Sequence, residues 1–504
     1  MVLQHQQAVP RQPSILRLFF IALAALMLLI GSVPFAGATP NPEPMSPRML
    51  ADTNKPGVVM IATIYKATVA FPEVQMSQQA LTELQQKIAA DILRGSLDKN
   101  NVTAIIDAMF MEIFRDPFKY LIPTNDWLTR EVQTGSVGGG FIITPDGYIL
   151  TNAHVVFAPE DALKVALVET GLKEQIDKDV DEFVQGVKAN NYKPSEDILK
   201  ELRKAASAFY VKYVKLSNVS TQIFTEMGVA IPGVQIMQKG FPSELKVRGE
   251  PSPGKDVAIL KIDKTNLPTV PLGDDGKLRT GDKIFVIGYP GAATFNPMLA
   301  NESVVESTMT SGLISARKTM PGGWDILQVD AAMTHGNSGG PVLNEKGEVI
   351  GIATFGSINS NNGTEVQGMN FVVPISIARQ FLNERNINPA ESQLTKIYKE
   401  GLTYYYEQKY TKALEKFREV NELNPGYPYI QTFISDSRQA INNHQDKSGV
   451  SMNLILLIGG GVVVAGGLAA AIFWLVKRFN FKVERRKPES PEQPPSDGEN
   501  NQGQ

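Results

Sequence analysis

The chain contains no cysteine. That excludes a disulfide framework, a thiol nucleophile and any cysteine-ligated zinc or iron–sulfur centre, so the domains must be held by core packing. Histidine is scarce, with four in 504 residues, which narrows any search for a general base. Neither sign of charge dominates: Lys and Arg number 49 against 52 Asp and Glu, for a net charge of −3. No basic footprint for nucleic acid results. Nothing calls for a cofactor or a metal, and the length suits about three or four domains.

Uncharged apolar runs are confined to two places. Near the start, Arg11 and Arg17 precede Leu18 to Ile30, and Ala36-Gly37-Ala38 follows. A positive end, a short apolar centre and an A-x-A site describe a secretory signal at 1–38, cut after Ala38; an uncleaved signal anchor is the competing reading. Near the other end, Leu454 to Val476 carries no charge. At about 1.5 Å per residue such a helix spans the roughly 30 Å hydrocarbon core, so 452–476 is expected to cross a membrane. A buried soluble helix fits that length poorly. Lys477, Arg478, Lys482, Arg485, Arg486 and Lys487 follow the span. Positive charge stays inside, which places the polar 477–504 tail in the cytoplasm and the rest outside the plasma membrane, in a bacterial topology. Gly461, Ala465 and Ala469 form a small-residue stripe compatible with helix pairing and self-association.

Between these ends the character changes several times. Residues 39–56 are proline-rich and read as a linker. "GVVMIATIYKATVA" (57–70) is β-branched and reads as a strand. A helical insert is expected over about 77–130, where Leu81, Leu84, Ile88 and Ile92 recur at helical spacing. In "GSVGGGFIITPDGYILTNAHVV" (135–156), Pro145-Asp146-Gly147 divides two apolar runs as a hairpin turn does. A second helical insert fills 159–213, with Ser195 as an N-cap. From Leu245 to Val373 short strands follow one another with no intervening helix, which favours a barrel or sandwich. The whole of 57–380 is therefore expected to be mainly β, with α additions. In 392–441, Gly401, Tyr404, Tyr410, Ala413, Phe417 and Pro425 fall at tetratricopeptide offsets. This TPR-like helical segment would serve as a stalk or a peptide-binding module, packed on the preceding domain or on another copy.

The chemistry centres on "MTHGNSGGPVLNEKGEVIGIATF", Met333 to Phe355. A serine needs a base to take its proton and donors aimed at the oxyanion it creates. Gly336 and Gly339 permit a tight backbone around Ser338, so that the amides of Gly336 and Ser338 can converge. His335 is too near in sequence to swing in front of Ser338. His5 leaves with the signal and His444 belongs to the stalk. His154, at the end of "YILTNAHVV", is the remaining base. Its orienting carboxylate would be Asp256, opening "DVAILKI", with Asp263, Asp274 and Asp330 competing on equal spacing grounds. The order histidine, aspartate, serine is also that of chymotrypsin.

"GYILTNAHVV", "DVAILKI" and "VDAAMTHGNSGGPVLNEKGEVIGI" resemble the three catalytic blocks of trypsin-like serine proteases of the HtrA (DegP) family. The resemblance covers roughly 57–65, 135–156 and 247–375. It implies a chymotrypsin-like double β-barrel with both inserts in the first barrel, and a cleft between the barrels. It further implies His154 as general base, Asp256 as its orienter and Ser338 as nucleophile. The amides of Gly336 and Ser338 would form the oxyanion hole, with that of Asn337 nearby. Ala332 would stand at the base of the primary pocket beside Met333 and Phe355, favouring small or medium aliphatic side chains. Several features depart from the family pattern. No PDZ block follows, Thr334-His335 replaces a common Asn-Pro, and the second insert separates His154 from Asp256. The inserts would form a lid beside the cleft or be inert additions. The expectation is a membrane-anchored serine endopeptidase of extracytoplasmic quality control, acting on unfolded or exposed protein segments. A catalytically silent scaffold or holdase is the alternative.

Overall fold

The computed structural model describes residues 44–228, 240–291, 306–358, 365–449, 467–475 and 477–478. The expected secretory signal, most of the expected span and nearly all of the tail lie outside them. Among the described residues no helix is long and apolar enough to cross a membrane.

The β-branched run becomes β1 (Val58–Met76), paired antiparallel with β2 (Leu121–Ile142) from Val58 opposite Phe141 to Met76 opposite Leu121. With β3 (Tyr148–Thr151), β4 (Lys215–Met227), β5 (Phe241–Arg248) and β6 (Ala258–Ile262) it closes a six-stranded barrel in the order β1-β2-β3-β6-β5-β4. Val59, Ile61, Ile142, Ile149, Ala258 and Leu260 fill its interior. β3 and β6 are short, so only the first part of β1 belongs to the barrel wall. Beyond it, β1, β2 and β4 continue as a three-stranded ribbon.

Alternation along the ribbon explains what covers it. Tyr65, Ala67, Val69 and Phe71 are buried, while Lys66 is exposed and Thr68 and Ala70 are half-buried, the period of two expected of a strand with one covered face. The cover is the second insert, α6 (Glu160–Lys188) and α7 (Glu196–Tyr213). Phe71 meets Tyr210 edge to face, with ring centroids 5.1 Å apart. Ser195 caps α7 by accepting from the Ile198 amide at 3.3 Å. The first insert is α2 (Gln78–Leu93), α3 (Val102–Arg115) and α4 (Pro117–Tyr120). It is shorter than expected, because 121–130 belongs to β2. Its Leu84, Ile88, Ile113 and Phe114 pack with Ile198 and Ala205 of α7. The two inserts thus merge into one helical layer around α7. β4 falls where sequence periodicity gives no strand: its outer part is polar and exposed, so no alternation marks it.

The second barrel runs β10-β11-β12-β9-β8-β7, from β7 (Lys283–Gly288), β8 (Thr308–Thr319), β9 (Asp325–Val329), β10 (Pro341–Leu343), β11 (Val349–Ile358) and β12 (Glu365–Pro374). α8 (Ile375–Glu384) ends the domain. The segment expected to be TPR-like holds three helices, α9 (Gln393–Tyr406), α10 (Tyr410–Leu423) and α11 (Ile430–Asn442). A Cβ on Gly401 would lie 2.6 Å from the Phe417 ring, so only glycine lets α9 and α10 close this far. The stretch read as a linker is corrected in its second half. Ser46 caps α1 (Pro47–Asn54), and Leu50 is fully buried against neighbouring elements.

Glu226, near the end of β4, is 6% exposed with Oε1 unpartnered, and burial pushes its carboxyl up to about 7. The folded state therefore holds a proton that the unfolded chain releases at lower pH. Its contribution to stability is complete below the ordinary glutamate range and is lost as pH rises through about 7. Glu226→Gln is expected to flatten that fall, so that its melting temperature exceeds the wild type's at pH 8 more than at pH 5. Equal differences at both pH values would contradict this.

Candidate active site

His154 sits on α5 (Ala153–Val156), a single turn following β3. Asp256 stands just before β6, next to β3 in the barrel, which is why two residues so distant in sequence meet. His154 Nδ1 lies 2.7 Å from Asp256 Oδ2, and the His154 amide donates to Asp256 Oδ1 at 3.0 Å. The carboxylate is 1% exposed. Two further groups fix it. Thr354 Oγ1 donates to Asp256 Oδ2 at 2.6 Å, and Asn152 Nδ2 donates to the Asp256 carbonyl at 2.6 Å. With Oδ2 held by two donors, the imidazole is oriented with its Nε2 directed away from the carboxylate. Asp263, Asp274 and Asp330 are all exposed.

Ser338 comes from the second barrel. The turn before β10 is shaped by Gly336 at φ +98 and Gly339 at φ +86, both in the left-handed region. A Cβ on Gly336 would fall 2.1 Å from the Tyr289 carbonyl oxygen, and one on Gly339 2.1 Å from that of Gly139. The barrels join here, since the Gly139 amide donates to the Ser338 carbonyl at 2.7 Å. The run Gly138-Gly139-Gly140 in β2 is what allows this approach: a Cβ on Gly139 would lie 2.8 Å from the Gly340 nitrogen. Consecutive glycines in a strand are the sequence signal for such close contact.

His154, Asp256, Ser338, Met333, Thr334, His335, Thr354 and Phe355 line one cleft of about 300 Å³, with Pro251, Ser252 and Gly356. No residue of either helical insert is among them. Ser338 Oγ donates to the Thr354 carbonyl at 2.6 Å, and no hydrogen bond joins it to His154 among the described residues. The His335 carbonyl accepts from Gly291 at 2.6 Å. In a trans peptide the following N–H points the opposite way, so the Gly336 amide faces away from Gly291. Two expected members of the site stand apart. The Asn337 amide donates to the Thr334 carbonyl at 3.1 Å, which withdraws it from an oxyanion hole. Ala332 is exposed, its carbonyl accepts from Thr310 Oγ1, and it does not line the cleft, whereas buried Met333 does.

Thr354 and Asn152 were not singled out by the sequence. Thr354 is a lone hydroxyl in the apolar strand "EVIGIATF", a weak signal in retrospect. Thr354→Val keeps the shape and removes one donor from a buried carboxylate. A hydrogen bond to a charged group contributes about 1.5–3 kcal/mol, so kcat/KM should fall about tenfold or more. Steady-state kinetics on an unfolded protein substrate checks this, and an unchanged value would deny Thr354 its orienting part.

Comparison with known proteins fits this geometry. A family model described as a trypsin-like peptidase domain matches residues 232–352. A probable periplasmic serine endoprotease, DegP-like, from Pseudomonas putida is 30% identical over 281 residues, covering 55% of this chain and 40% of that protein. A protein of the same description from Rhizobium meliloti is 38% identical over 152 residues, 29% of this chain and 27% of that one. The HtrA-type protease AlgW with a decapeptide, a solved structure, aligns over 68% of this chain and 67% of its own, at 20% identity and a TM-score of 0.34. The chain spans less than half the length of these curated relatives. The sequence matches support a trypsin-like serine peptidase domain.

Proposed function

We propose that the chain is a membrane-tethered serine endopeptidase that cuts unfolded or exposed polypeptide segments through an acyl-enzyme, in extracytoplasmic protein quality control. The observation that carries this reading is the 2.7 Å contact between His154 Nδ1 and Asp256 Oδ2, with Ser338 on the same cleft. The mechanism requires a rotation about the Ser338 Cα–Cβ bond that carries Oγ from the Thr354 carbonyl to His154 Nε2. Oγ then bonds the scissile carbonyl carbon while its proton passes to Nε2, and Asp256 stabilises the imidazolium. The oxyanion accepts from the amides of Gly336 and Ser338. Collapse expels the amine, which takes the proton from Nε2, and water repeats the sequence to release the acid.

The cleft supports aliphatic over basic side chains at the primary position. Met333 and Phe355 line it, and Asp256, its only acidic residue among the described lining, is engaged by His154 and Thr354. Relatives described as periplasmic agree with a catalytic domain outside the cytoplasm. The uncharged run to Val476 supports a membrane tether. So do Leu468, Ile472, Phe473, Trp474 and Leu475, which the helical stretch 467–475 leaves exposed.

A second reading, a protease fold that holds chains without cutting them, draws on the Ser338 hydroxyl resting on Thr354 rather than His154. A fluorophosphonate probe separates the two. The enzyme reading expects Ser338 to label, with unfolded casein added if needed, and Ser338→Ala to remain unlabelled. Absence of labelling in both conditions would leave the holding role.

A further inference from the structure

The repeat region does not hang from the protease; it is bolted to it at several points. Thr395 Oγ1 accepts from the Thr269 amide at 2.9 Å, and the Ser392 amide donates to Thr269 Oγ1 at 2.9 Å, all three residues being buried. Ala390 donates to the Ile143 carbonyl at 3.0 Å, and Asn424 Nδ2 to that of Asn266 at 3.2 Å. Tyr398 donates to the Asp52 carbonyl at 3.1 Å and Tyr406 to the Asp52 carboxylate, so α1 is clamped against α9. Tyr429 reaches Glu306 beside the second barrel at 3.1 Å, and Glu306 in turn pairs with Lys55 at 2.7 Å.

The chain leaving α11 is fastened as well. The Lys447 amide donates to the Gln408 carbonyl at 2.8 Å. Asp446 accepts from the amide and hydroxyl of Thr411, at the start of α10, and from the amide and hydroxyl of Ser448. Burial alone would raise this carboxyl, but those hydrogen bonds bring it down to about 2, so the clip stays charged at any pH near neutrality. An ordered path therefore runs from both barrels to Ser448. Only residues 449–453 separate it from Leu454, where the apolar run begins. Fully extended, they reach about 20 Å.

We propose that this rigid, short mounting makes the enzyme select substrates by height: it cuts membrane-attached polypeptides whose exposed segments lie in a band close above the membrane surface. This rests on the serine-protease and tether readings above. A scissile segment inside the band meets the cleft at high effective concentration, whereas one held beyond the leash is almost never presented. The repeat thereby acts as a spacer, which explains why its docking is so extensive.

The test uses the full-length protein in liposomes with a single-span reporter whose long unfolded ectodomain is cut at positions mapped by mass spectrometry. The wild type is expected to cut within a juxtamembrane band. A Gly/Ser linker of about thirty residues inserted after Ser448 adds a root-mean-square reach of roughly 30 Å. It should raise the ratio of distal to proximal cuts about tenfold. Asp446→Ala should shift the ratio in the same direction by less. Both variants should cut the detergent-solubilised reporter as the wild type does. A cut map unchanged by the linker, with flotation and fluorophosphonate labelling intact, overturns the height selection alone. Loss of flotation overturns the tether together with it, and absence of labelling overturns the protease reading.

Discussion

Ser338→Ala is expected to abolish turnover of an unfolded protein substrate, by as much as about a million-fold, while the fold survives. The size follows from the chemistry. Without Oγ there is no acyl-enzyme, and what remains is binding and oxyanion stabilisation acting on water. Survival of the fold follows from the contacts. Among the described residues the Ser338 hydroxyl makes one hydrogen bond, to the Thr354 carbonyl, and the barrel-to-barrel bond from Gly139 uses the Ser338 backbone. The cost in stability is on the order of 1 kcal/mol. Kinetics and thermal melting of the same preparation check both halves. Residual turnover within a factor of about ten of the wild type would remove Ser338 from the mechanism.

Asp256→Asn is expected to cost about 10⁴ in kcat, with a smaller effect on binding. Among the described residues the Asp256 carboxylate is approached only by donors: His154 through its amide and Nδ1, and Thr354 through Oγ1. An asparagine must turn an NH2 toward one of the two sites. Facing Nδ1, it forces the imidazole into the tautomer with the proton on Nε2, which can no longer take one from Ser338. Facing the His154 amide, it sets two donors against each other in a buried site and loosens α5. Either outcome separates kcat from KM, and a variant that raised KM with kcat intact would deny Asp256 the orienting role. Paired with Thr354→Val the losses should be less than additive, because both act through one carboxylate.

The site residues and the framework around them were legible to different degrees. His154 stands out by elimination because histidine is so rare, and Ser338 by the glycines on either side of it, whose positive φ and carbonyls 2.1 Å from any Cβ the structure then supplies. Asp256 could not be separated from its competitors by spacing. Its selection depends on burial and on β6 lying beside β3, and neither is written in a local pattern. Ala332 follows from analogy of position alone; in the structure it is exposed, and its carbonyl accepts from Thr310 Oγ1. β4 escaped notice because a ribbon edge in water shows no alternation, and α1 because proline-rich composition hides a helix that begins with Pro47.

By itself the sequence determined the periodic features: the β-branched β1, the hairpin at Asp146-Gly147 and the amphipathic insert helices. These depend on neighbours within a few residues, so local patterning records them. Tertiary structure alone decided the merging of the two inserts into one layer, the resting place of the Ser338 hydroxyl and the fastening of the chain after α11 through Asp446. Those depend on residues brought together by tertiary packing from about 16 to just over 100 positions apart, and such pairing leaves no periodic trace in either partner.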